Sequence, residues 1–117
     1  MRVITFKPQF APLVKAGTKR QTIRASAWGI EVGTLLSLRK WTGKPYRSPQ
    51  ELLREEFCTS IEPIRVELAF IVINGGYYHR EQMAVADGFE NWPQMRDFFQ
   101  ANGGLPFDGF LIKWEVE

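Results

Sequence analysis

The longest uninterrupted apolar run in this chain, Leu68 to Ile73, is six residues, whereas a helix crossing a bilayer needs roughly 20. A core must therefore be assembled from many short pieces brought together by turns. With 117 residues, 44% hydrophobic and 14% aromatic, there is material for one such core, and residues 1–117 are expected to form a single domain. Apolar residues are spread along the whole length and 24% of the chain is charged, a balance that argues against wholesale disorder. The opening MRVITFKPQF enters a strand-like alternation at once, without the apolar stretch and small-residue cleavage site of a secretory signal. Cys58 is the single cysteine and has no intramolecular partner. The expectation is a reducing, cytoplasmic setting with no membrane contact, in which Cys58 is packing filler.

Proline and glycine divide the chain into elements. Arg2 to Phe6 alternates and is β-branched, a strand. From Pro8 the period becomes helical, with Phe10, Leu13 and Val14 on one face and Gly17 as the stop. Gln21 to Arg24 is extended, and Thr34 to Lys40 alternates as a second clear strand. Residues 43–56 hold two prolines and then a short charged helical pattern, an excursion from the sheet. Phe57 to Ile73 is predicted as two strands divided by Pro63, with Leu68 to Ile73 buried on both faces and Asn74-Gly75-Gly76 as the end. Glu81 to Ala86 is a short helix closed by Gly88. A further helix starts at Asn91, with Pro93 in its first turn, Gln94 at the capping-box position, and Trp92, Met95, Phe98 and Phe99 as a core-facing stripe. Asn102-Gly103-Gly104 ends it, and Gly109 to Val116 is the last strand. This pattern is α+β: a closed or nearly closed sheet of five to six strands with two or three peripheral helices.

Several chemistries lack their residues. A zinc site wants three or four Cys, His or carboxylate ligands, and the chain has one Cys and one His. His79-Arg80-Glu81 spells half of a zinc-deaminase signature without its P-C-x-x-C partner. Dinucleotide, P-loop and nucleophile-elbow motifs are absent. No metal and no cofactor are expected.

Charge is polarised along the chain. Residues 1–50 carry ten Lys or Arg against Glu31 alone, a net of +9, and the remaining residues net −7. A basic half interleaved with Trp28, Trp41 and Tyr46 suits phosphate neutralisation and base stacking; alternatively, the two halves interleave in space and compensate one another. The most cationic segment, Gly17-Thr18-Lys19-Arg20-Gln21-Thr22-Ile23-Arg24, puts three cations and two hydroxyls at a helix exit leading into a strand. Strand alternation sends Thr22 and Arg24 to one side and Ile23 to the other. A threonine hydroxyl becomes a nucleophile only beside a base, and a lysine becomes that base only when burial or a neighbouring cation lowers its pKa. The same composition also describes a solvated basic turn. Asp87 sits at the C-terminal end of a predicted helix, where the macrodipole disfavours negative charge. Either a cation such as Lys19 reaches it, or its carboxylate bonds turn amides around Gly88.

Phe6-Lys7-Pro8-Gln9-Phe10 before a short helix, the Gly17–Arg24 turn with its G-x-K-x-x-T-x-R spacing, Val85-Ala86-Asp87-Gly88-Phe89 before a second helix and Asp108-Gly109-Phe110-Leu111-Ile112-Lys113-Trp114 in the last strand together resemble the ASCH domain family, one of the PUA-like β-barrels. The resemblance spans Thr5 to Trp114 and is least at residues 43–56. It implies a small β-barrel whose cleft, lined by the Gly17–Arg24 turn, takes RNA, a nucleotide or a nucleoside. Small bacterial members include an amidohydrolase that removes acetyl from the exocyclic amine of acetylcytidine. Its catalytic lysine matches Lys19, its threonine matches Thr22, and its glutamate matches Asp87, which is one methylene shorter. Two functions follow as expectations. One is an RNA- or nucleotide-binding module using Lys19, Arg20 and Arg24, with Trp28 or Trp41 as a stacking face. The other is an amidohydrolase in which Thr22 attacks the amide carbonyl, Lys19 is the base, and Asp87 orients Lys19 or the hydrolytic water.

Overall fold

The computed structural model describes residues 1–116. Chain order is β1 (Arg2–Thr5), α1 (Ala11–Ala16), β2 (Gln21–Arg24), β3 (Leu35–Trp41), β4 (Gln50–Val66), β5 (Ile71–Ile73), β6 (Gly76–Tyr78), α2 (Arg80–Ala86), α3 (Trp92–Ala101) and β7 (Phe107–Trp114). The class is α+β, with a seven-stranded mixed sheet and three helices. β1 runs parallel to β3; every other pairing is antiparallel.

β4 organises the sheet. Its 17 residues would extend about 56 Å at roughly 3.3 Å per residue, yet the longest dimension of the molecule is 38 Å. The strand must bend. It does so at the register shift between Cys58 and Ser60, where it leaves its ladder with β3 and takes up β7; an extra residue in one strand kinks it and sharpens its twist. The resulting path β1-β3-β4-β7-β2 curls, but no ladder joins β1 to β2 and the sheet is not closed. The two strands are linked by a side chain instead, Arg24 Nη2 donating to Thr5 O at 2.8 Å.

The differences from expectation are local and physical. Residues 50–56 are strand, not part of a helical excursion: pairing with β3 buries Leu53 and turns Leu52 outward, so tertiary pairing overrides the helical preference of Leu-Leu-Arg-Glu-Glu. Pro63 does not divide β4. Its carbonyl faces the β5 side, where it accepts from Asn74 N–H at 3.4 Å, and the β5 ladder begins only at Ile64, so the missing N–H interrupts no ladder bond. Leu68 to Ile73 is not a doubly buried strand either. Leu68 is 57% exposed and the strand is Ile71–Ile73 alone, because Glu67 N–H donates to Phe70 O and turns the chain first. Asn74 and Gly75, both at positive φ, then form a two-residue hairpin turn into β6, the connection an Asn-Gly pair favours.

The helices follow their local chemistry. In α3 the Asn91 side chain accepts from Gln94 N–H at 2.9 Å, and Gln94 Oε1 accepts from Glu90 N–H at 2.8 Å, a reciprocal cap displaced by one residue from the usual box. Trp114, Leu36, Leu38, Ile71, Met95, Leu111 and Ile112 are the largest fully buried side chains. No helix is long and apolar enough to cross a membrane among the described residues.

Candidate functional site

α1 ends at Gly17 in the left-handed region with φ of +79°, and both Thr18 N–H and Lys19 N–H donate back to Leu13 O. This closure of the helix turns the chain inward, and the Lys19 side chain is only 2% exposed. β2 then pairs with β7, Thr22 opposite Ile112 and Arg24 opposite Phe110. A Cβ at Gly109 would collide with the Arg24 carbonyl, so glycine there is what permits the close approach. Asp87 arrives from the other side, as the C-terminal cap of α2.

Lys19 Nζ lies 3.3 Å from Asp87 Oδ1 and also donates to the Asp87 backbone carbonyl. One ammonium thus faces both the carboxylate and the negative end of α2, the two groups that would otherwise repel each other. Gln21 Nε2 is 3.4 Å from Asp87 Oδ1 and 3.3 Å from Met83 Sδ. Arg24 Nε donates to Thr22 Oγ1 at 2.9 Å. Lys19, Thr22, Arg24 and Asp87 line one cavity of about 150 Å³, with Phe6, Phe10, Phe98 and Phe99 among its walls. That volume accommodates one six-membered ring. The Lys19 ammonium sits 4.8 Å from the Phe10 ring centroid and the Arg24 guanidinium 5.1 Å from that of Phe6.

Burial governs the protonation of the pair. It pushes the Lys19 amine below its ordinary 10.5, against the opposing attraction of Asp87 and with a further push from Arg24. It pushes the Asp87 carboxyl above its ordinary 3.8, against Lys19, Gln21 and Arg24. Both shifts favour uncharged partners. Gly88, with φ of +97°, lets the chain pass over the Lys19 stem: a Cβ there would lie 3.1 Å from Lys19 Cδ and 3.1 Å from Phe10 Cδ1. Gly88→Ala is expected to destabilise the fold by about 1–2 kcal/mol from the backbone conformation alone, measured by urea unfolding; unchanged stability would show that this passage is not tight.

The other sequence candidates lie elsewhere. Arg20, which precedes β2, is exposed and donates through Nε to Gly17 O at 2.8 Å. Trp41, at the end of β3, packs on Tyr46 with ring centroids 5.1 Å apart and does not line the cavity. Trp28 is 78% exposed and borders a neighbouring groove that shares Thr5 and Arg24 with the cavity. Sequence reasoning missed the aromatic walls and Gln21. Phe98 and Phe99 belong to a stripe read as core, yet they also face the cavity, and periodicity cannot distinguish a wall from a core. Gln21 was visible as a polar residue between Lys19 and Thr22.

Of the ten cations in residues 1–50, only Lys15 and Lys19 form ion pairs among the described residues, with Glu51 and Asp87. The other eight are uncompensated at contact distance. No cluster of three His, Cys, Asp or Glu able to hold a metal occurs among the described residues. Comparison with protein-family models, with curated proteins and with solved structures finds no match to this chain.

Proposed function

We propose that this chain is an ASCH-like cytoplasmic amidohydrolase whose cavity takes the acylated base of a modified nucleoside, such as acetylcytidine, and cleaves the amide on the exocyclic amine. One observation carries the reading: a lysine, a threonine and a carboxylate, each nearly fully buried, line a single ring-sized cavity with aromatic walls. A solvated basic turn would keep these groups in water, whereas here Lys19 and Asp87 are buried against the desolvation cost of the pair. The path β1-β3-β4-β7-β2, with β1 and β2 joined through Arg24, is compatible with the PUA-like barrel of that family.

The chemistry follows from the donors and acceptors present. Thr22 Oγ1 already accepts from Arg24 Nε, so its own proton must be given elsewhere, and a neutral Lys19 amine is the base at the same cavity. Such an amine has two hydrogens and one lone pair. The carbonyl and carboxylate oxygens of Asp87 take the hydrogens, which leaves the lone pair for the Thr22 proton. Oγ1 adds to the amide carbonyl carbon as its proton passes to Lys19. The tetrahedral adduct then expels the exocyclic amine, which takes that proton from Lys19, and an acyl ester remains on Thr22. Water, deprotonated by Lys19, hydrolyses the ester to the carboxylic acid and restores the hydroxyl. Asp87 acts as a positioning residue for Lys19 in this scheme. Its shorter side chain suffices for that role because it already reaches Lys19.

Purified protein incubated with acetylcytidine is expected to release cytidine and acetate, with Thr22→Ala and Lys19→Ala inactive; equal turnover by wild type and both variants would remove the proposal. A second reading, RNA or nucleotide binding without chemistry, is favoured by the eight uncompensated cations. It requires RNA affinity that falls steeply between low and moderate salt.

A further inference from the structure

The groove beside the cavity has a volume of about 280 Å³ and is bordered by Arg2, Thr5, Arg24, Ser26 and Trp28. The Arg2 guanidinium lies 4.3 Å from the Trp28 ring centroid, and Arg2 Nε donates to Gly29 O at 3.2 Å. Gly29 adopts φ of +73°, and a Cβ there would overlap the guanidinium. The loop is therefore shaped around this arginine, which is held at its Nε edge and on one face while its two terminal nitrogens remain donors. No acidic side chain borders the groove among the described residues. Neither Arg2 nor Arg24 forms a salt bridge among them. Two cations border one groove that has no acidic side chain in its lining, and Arg2, fixed in advance by stacking with its terminal nitrogens free, suits the fork geometry by which a guanidinium holds phosphate oxygens.

We propose that this groove is a phosphate seat. Resting on the nucleoside reading above, a base in the cavity carries its ribose past Thr5 and Arg24 and sets a phosphate between Arg24 and Arg2. The substrate class is then an acylated nucleotide and not a free nucleoside. A mononucleotide and an RNA strand offer the same phosphate ester, and the test separates them.

In ¹⁵N-labelled protein, titration with inorganic phosphate is expected to shift the Arg2 side-chain N–H, the Gly29 amide and the Trp28 indole N–H. The Gly29 and Trp28 shifts vanish in Arg2→Ala and survive with weaker affinity in Arg2→Lys. Calorimetry is expected to show cytidine 5′-monophosphate binding about tenfold tighter than cytidine, a preference that falls to about one in Arg2→Ala. A short oligocytidine that binds no tighter than the monophosphate identifies the mononucleotide as the source; tighter binding identifies RNA. Phosphate that leaves all three resonances unmoved, or equal wild-type affinity for cytidine and its monophosphate, overturns the seat. Intact phosphate shifts and nucleotide preference without any acetylcytidine turnover support the seat while overturning the amide chemistry.

Discussion

Lys19→Met is expected to lower the unfolding free energy by about 3–5 kcal/mol at neutral pH, the usual cost of removing one member of a buried ion pair. The reason is less the lost attraction than the Asp87 carboxylate left behind, 6% exposed, with Gln21 as its remaining hydrogen-bond partner. The loss depends on pH in a definite direction. The Asp87 carboxyl is already held above its ordinary 3.8 by burial, and Lys19 is the largest influence opposing that rise. Without Lys19 it rises further. A group whose folded value exceeds its unfolded one stabilises the native state fully below the unfolded value and loses that stabilisation as pH rises through the folded value. The deficit of Lys19→Met relative to wild type is therefore largest at neutral pH and shrinks on acidification toward 3.8. Urea unfolding across this range measures it. The double variant Lys19→Met/Asp87→Leu removes both charges and is expected to recover most of the loss; a double variant no more stable than the single one would show that the pair is not the cause.

Thr22→Val is expected to abolish acetylcytidine turnover, by about a thousandfold or more, as loss of a nucleophile does. The substitution keeps the branched shape and removes only the hydroxyl. Its structural cost is the Arg24 Nε donor left without its 2.9 Å acceptor, about 1–3 kcal/mol, so the protein remains folded for comparison. Thr22→Ser, which keeps the oxygen, retains turnover. Acid quench during turnover, followed by peptide mass spectrometry, is expected to find an acyl group on the Thr22 peptide in wild type and none in Thr22→Val. Turnover of Thr22→Val within tenfold of wild type would transfer the nucleophile's role to water.

Elements carrying their own stop and start chemistry were legible along the chain. Gly17 at the end of α1 and the Asn91–Gln94 cap of α3 are decided by conformations within a few residues, although the proline in the first turn of α1 is Pro12 and not Pro8. The alternation of β3 and β7 was equally plain. The misread segments are those whose local preference was outweighed by a distant partner: residues 50–56 look helical and become strand because β3 lies beside them, and Pro63 sits inside β4 because its backbone polar side falls beyond the β5 ladder. The β5–β6 hairpin was signalled by Asn74-Gly75 and passed over as a simple terminus.

The same division runs through the site. Lys19, Thr22 and Arg24 lie close together in the chain at a helix exit, and two-residue alternation sends Thr22 and Arg24 to one side, an extended conformation that pairing with β7 then holds. Their meeting with Asp87, 68 positions from Lys19, depends on α2 docking over the turn. So does the burial that drives both pKa shifts. Desolvation and convergence are properties of the packed molecule: they come from the side chains that exclude water around these groups, the walls at Phe6, Phe10, Phe98 and Phe99, and those residues approach one another only when the whole core closes.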